Sequence, residues 1–134
     1  MILAVEIVSM AVPPVVEAGV HDIVLDCEYE YTEEEKNQLD IKWYFNNNPE
    51  PIYQWLPMTS GPQVIGDQFR HHLDLDYQVN KDQYKKHRAL NIKNPQPHLS
   101  GTYMCKVSTF IDEDFMQKDL LVYGRNFDGS LITQ

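Results

Sequence analysis

At 134 residues the chain is one domain with room for a core of its own. Its formal charge of -9 argues against nucleic acid and against an anionic membrane surface as the main partner. No apolar run approaches the length of a membrane span, so no direct membrane insertion is expected. The apolar start Met1-Ile2-Leu3-Ala4-Val5 meets Glu6 early and lacks a basic flank, so it does not make a complete signal peptide.

Ala4 to Met10 reads as a first edge strand, and Pro13-Pro14 then removes two backbone donors, which suits an edge and a kink. Glu17-Ala18-Gly19 supplies a turn. The following run alternates cleanly, with Ile23, Leu25, Cys27 and Tyr29 inward and Val24, Asp26, Glu28 and Glu30 outward. Tyr31 to Asp40 is a polar loop in which Thr32 and Glu35 have the spacing of a capping box, with a solvated acidic loop as the plainer reading. Ile41 to Phe45 is a strand ended by Asn46-Asn47-Asn48-Pro49, a turn by composition. A short aromatic strand, Ile52 to Pro57, follows. Met58 to Phe69 should be a loop with one ragged edge strand. His72 to Tyr77 alternates again, predicting a strand with Leu73, Leu75 and Tyr77 inward. Asn80 to Lys86 is a polar turn, and Leu90-Asn91-Ile92 a strand ending at Asn94-Pro95.

The stretch Leu99-Ser100-Gly101-Thr102-Tyr103-Met104-Cys105 organises the rest. Tyr103 and Cys105 share the inward phase of one strand, while Thr102, Met104 and Lys106 point out. After the turn Phe110 to Asp114, a last strand is expected near Met116 to Tyr123, giving a domain over 1–123 and a tail or linker over 124–134. Cys27, then Trp43, then Gly101-x-Tyr103-x-Cys105 resembles an immunoglobulin domain. That resemblance implies an all-β Greek-key sandwich, a Cys27–Cys105 disulfide with Trp43 packed on it, and a tyrosine corner at Tyr103. The alternative for the two cysteines is a pair of buried thiols; a bond would fit an oxidising, extracellular setting, secreted or as the ectodomain of an anchored protein. Trp43 and Cys105 are 62 positions apart, which suits the variable type with about nine strands better than a seven-strand constant type. One departure is Leu99, where variable-type domains usually place an Asp paired with a basic residue near Arg70.

Lys42-Trp43-Tyr44, the segment Ile52-Tyr53-Gln54-Trp55-Leu56-Pro57, and Val12 to Gly19 are also similar to the first domain of the insect beaten-path family. That resemblance implies a neuronal cell-surface protein that binds sidestep-type immunoglobulin receptors in axon guidance.

No nucleophile elbow, phosphate-cradling glycine loop or zinc-motif spacing is present, so no catalytic residue, cofactor or metal is assigned. His71-His72 point to opposite faces of a strand and do not share an ion. The expectation is protein recognition through the sheet carrying Lys42, Tyr44, Met104 and Lys106, with Tyr53 or Trp55 as aromatic anchors and a homodimer through the same sheet as one form it could take. Two alternatives stand: a structural spacer in a tandem ectodomain, and a soluble immune-type receptor reading its ligand with the loops at Glu33 to Asn37 and Phe110 to Asp114. No Asn-x-Ser/Thr sequon occurs to shield either sheet.

Overall fold

The computed structural model describes residues 2–59 and 61–133. Two β-sheets pack face to face. The smaller has the order β1–β3–β7, made by β1 (Glu6–Ala11), β3 (Asp22–Glu30) and β7 (Leu90–Lys93). The larger has the order β10–β9–β8–β4–β5–β6, made by β10 (Leu131–Ile132), β9 (Glu113–Arg125), β8 (Gly101–Ser108), β4 (Asp40–Phe45), β5 (Tyr53–Trp55) and β6 (Gln63–Val64). The Pro13-Pro14 break carries the chain from one sheet to the other: β1 pairs antiparallel with β3, whereas β2 (Val15–Glu17) pairs parallel with β9.

The period-2 patterns of β3, β4 and β8 set the core. Leu25, Cys27 and Tyr29 meet Ile41, Trp43, Tyr103, Cys105 and Val107 across the sandwich, all of them fully buried. Cys27 and Cys105 form the disulfide, and Trp43 is the direct register partner of Cys105. The Tyr103 hydroxyl donates to the Leu99 carbonyl at 2.6 Å, the corner expected of that segment. Gly101 sits where an added Cβ would lie 2.2 Å from Asn46 Oδ1 and 2.7 Å from the Phe45 ring, so the close crossing of β8 and the β4 turn requires glycine. Asn46 and Asn47 both take the left-handed conformation, and the Asn48 amide closes the turn onto the Phe45 carbonyl.

The Arg70 side chain pairs at the surface with Asp67, at 2.8 Å, rather than reaching the Leu99 corner. Leu99 and Phe69 are buried there, and Phe69 meets Phe45 and Tyr103 edge to face, so apolar packing stands where an ion pair is customary.

The expected strand at His72 to Tyr77 is not formed. Only an isolated bridge joins Leu73 to Ile92, and the chain beyond it turns repeatedly. A local turn takes its place: Asp74 Oδ1 accepts from the Asp76 amide and the Asp74 carbonyl from the Tyr77 amide, which draws both amides away from a ladder, and the turn expected at 80–86 is held in the same way by Asn80 and Asp82. The segment is held by the core instead. The Tyr29 hydroxyl donates to the Tyr84 carbonyl, the Tyr53 hydroxyl to the His87 carbonyl and Trp43 Nε1 to the Arg88 carbonyl. Arg88 then grips Asp26 with two nitrogens at 2.9 and 3.0 Å.

At the other end, β9 runs on to Arg125 and a turn through Asn126 and Gly129 brings β10 back onto Gly124 and Arg125. The stretch expected as tail therefore contains a paired hairpin; Gln134 lies outside the described residues.

Candidate partner-binding face

The open face of the larger sheet is built in rows set by register. One row crosses Gln54, Lys42, Lys106 and Phe115; the next crosses Tyr44, Met104 and Gln117; a third crosses Asp40, Ser108 and Glu113. Lys42, Tyr44, Met104 and Lys106 are all half-buried and all outward, as their phase requires. The two opposed lysines are each drawn to an acid, Lys42 to Asp40 at 3.1 Å and Lys106 to Glu113 at 3.4 Å. That separation relieves like-charge repulsion across the β4–β8 pair.

Tyr53 and Trp55 do not belong to this face. They are 3 % and 1 % exposed, with Tyr53 bonded to the His87 backbone and the Trp55 ring edge-on to His87. Their phase on β5 is that of Ile41 and Trp43, which they oppose in the ladder, so the whole pair points into the core. The expectation that either anchors a partner is corrected: they anchor the segment that replaces the missing strand.

The aromatic surface lies elsewhere. Phe115 is exposed on β9 beside Lys106, and Phe110 and Ile111 project from the β8–β9 turn. Phe110 is 86 % exposed and, with Leu56, Asp40 and Ser108, lines a shallow depression of about 130 Å³ at the end of the face. Phe115 was legible in principle. Extending the β9 alternation from the inward Leu120 and Met116 puts it outward, but the strand was expected to start one residue later.

The loops at this end are tied together by Glu35. Its carboxylate is fully buried and accepts from the Val5 amide, the Thr32 amide and hydroxyl, and the Thr109 hydroxyl, at 2.7 to 3.1 Å. Burial alone would raise its pKa, but these donors outweigh it and hold the carboxyl below the ordinary glutamate range. Of the acidic run, Glu33 and Glu34 are exposed as expected of a solvated loop, whereas Glu35 fulfils the capping-box spacing with Thr32. The Phe110 amide also donates to Gln38 Oε1, so the two loops form one rigid rim.

The sequence model of the immunoglobulin V-set domain matches residues 12–123. The chain belongs to the immunoglobulin V-set domain family. This V-set domain resembles the human B7-H4 IgV-like domain with a TM-score of 0.63 at 19 % identity, over 91 % of this chain and 97 % of that one. It also resembles a chain of the complex of Dpr2 Ig1-Ig2 with DIP-Theta Ig1-Ig3, with a TM-score of 0.60 at 16 % identity. There the match covers 90 % of this chain and 34 % of the other, so the V-set domain spans about a third of that chain. No curated protein sequence matches. A V-set domain with a Cys27–Cys105 disulfide fits an extracellular location, and no helix among the described residues is long and apolar enough to cross a membrane.

Proposed function

We propose that this V-set domain is an extracellular recognition module that docks another immunoglobulin-type ectodomain on the open face of β4, β8 and β9. One observation carries the reading: Tyr44 and Met104 face each other across β4 and β8, Phe115 stands on the neighbouring row beside Lys42 and Lys106, and Phe110 is exposed at the loop end beyond the row of Asp40, Ser108 and Glu113. Such a composition is that of an interface centre surrounded by charge. A second immunoglobulin-type chain is the partner class in the Dpr2 and DIP-Theta complex, which supports a partner of the same kind here. The likeness of residues 12–19, 42–44 and 52–57 to the beaten-path family supports a sidestep-like receptor and a role in axon guidance. In that motif Lys42 and Tyr44 belong to the face, while Tyr53 and Trp55 are buried in the core.

The test is a binding screen of the domain against extracellular immunoglobulin-type proteins, a second copy of this chain included, followed by a Tyr44→Ala, Phe115→Ala double variant. Capture of such a partner, abolished by the double variant, is the expected result. A partner retained by that variant but lost on changing Phe110 and Ile111 would move recognition to the loops. No partner at all would leave the spacer role.

A further inference from the structure

The polar cavity on the flank of the sandwich shares no lining residue with the depression at the end of the proposed face. It measures about 450 Å³ and is lined by the loop after β5 (Pro57, Met58, Thr59, Gly61) and by Lys81, Gln83, Lys86 and His87. That volume is in the range of small-molecule sites rather than of a lone ion. No acidic residue is among the described lining residues, and neither Lys81 nor Lys86 has an acid partner among the described residues.

The charge distribution sharpens the point. Four of the chain's 11 lysines and arginines, Lys81, Lys85, Lys86 and Arg88, fall within eight positions of a chain whose net charge is -9. Arg88 is spent on Asp26, and Asp82 lies among these residues; of the three remaining lysines, Lys81 and Lys86 line the cavity. His87 is only 8 % exposed, and its Nδ1 is engaged by the Tyr77 carbonyl at 2.9 Å. Among the described residues its Nε2 has no protein partner, and no described side-chain nitrogen is both buried and unpaired, so Nε2 meets solvent. The wall is also rigid: core donors from Tyr29, Tyr53 and Trp43 fix the carbonyls of Tyr84, His87 and Arg88.

We infer that this cavity is a binding site for a sulfated glycosaminoglycan segment. The lysine ammoniums are point charges suited to sulfate, and the Gln83 amide and His87 Nε2 suit sugar hydroxyls. A sulfated saccharide fits better than a lone anion because two lysines and two neutral hydrogen-bonding groups line the same wall; the attraction is local to that wall and works against the domain's net charge. A concave, polar wall fits a saccharide unit; an acidic protein partner would call for a flatter and more apolar surface.

The experiment measures binding of a fluorescein-labelled heparin hexasaccharide to the whole domain, with a poly-glutamate peptide of equal charge as comparison. Lys81→Ala with Lys86→Ala should weaken hexasaccharide binding by about tenfold or more, while Arg70→Ala with Lys118→Ala should leave it within about twofold. Amide shifts on titration should map to Gly61, Gln83 and His87. Should the double variant fold poorly, Lys81→Gln alone, at an exposed position, should still weaken binding. No binding by the wild-type domain, equal loss in both double variants, or equal affinity for poly-glutamate would overturn the site.

Discussion

The Tyr53 hydroxyl donates to the backbone carbonyl of His87 at 2.5 Å, across 34 positions of chain. With Trp43 on Arg88 and Tyr29 on Tyr84, it ties the segment before β7 to the core, while residues 72–74 keep two backbone bonds to β7. The sandwich thus closes its flank with side-chain donors from the core, and the aromatic residues of β5 serve packing rather than contact.

Tyr53→Phe keeps the ring and removes the hydroxyl, leaving the His87 carbonyl without its donor inside the protein. A loss of about 1 to 3 kcal/mol is expected in denaturant unfolding. Hydrogen exchange should locate the effect, with faster exchange confined to residues 79–88 and the disulfide strands unchanged. Unaltered stability would show that the segment holds without this bond.

Alkaline pH acts on the same network. Burial raises the pKa of Tyr29, Tyr53 and Tyr103 above the ordinary value of 10. A raised folded-state pKa means that the stabilising difference is fully present below pH 10 and is lost as pH climbs, since the unfolded chain ionises first. The loss is about 1.4 kcal/mol per pH unit for each such tyrosine. Of the eight tyrosines, these three should ionise only together with loss of the sheet signal in circular dichroism. Early, independent ionisation of all eight would contradict their burial.

Glu35 contributes to stability in acid. Its folded pKa is lowered, so its contribution is fully present above its ordinary value of 4.5 and disappears as pH falls through the folded value. Glu35→Gln removes the charge and turns one acceptor into a donor facing other donors. About 1 to 3 kcal/mol should be lost at neutral pH, with a shallower dependence on acid than the wild-type domain shows. A variant as stable as wild type, with an unchanged acid profile, would assign the loop rim to other contacts.

The alternation of β3, β4 and β8 was readable in the sequence because one face of each is buried, and period 2 then fixes every side chain. Cys27, Trp43, Gly101, Tyr103 and Cys105 follow from that phase together with the immunoglobulin resemblance, and Pro13-Pro14 reads as a kink. Residues 72–77 differ from the expected strand for a physical reason: alternation measures burial, whereas the local turn at Asp74 decides whether a ladder forms. The direction of Tyr53 and Trp55 depended on register with β4, which no local pattern contains. Glu35 looked like its exposed neighbours because its partners Val5 and Thr109 are 30 and 74 positions away.

The final prediction separates anchoring from steering on the proposed face. Tyr44 and Phe115 are held by strands, so truncating them removes contact area without loosening the fold, and Tyr44→Ala with Phe115→Ala should raise the dissociation rate by about tenfold or more. The exposed acids Glu33, Glu34, Asp112 and Glu113 ring the loop end, and Glu35 keeps those loops together. They touch the partner's field before its surface. Neutralising them should slow association and flatten its salt dependence, with dissociation nearly unchanged. Lys106 offers an internal control, since its tether to Glu113 is released in the neutralised variant. If dissociation instead follows the acids and ignores the aromatics, the rim rather than the sheet is the contact surface. Stopped-flow association at two salt concentrations, beside surface-binding dissociation, distinguishes the two outcomes in one set of three proteins.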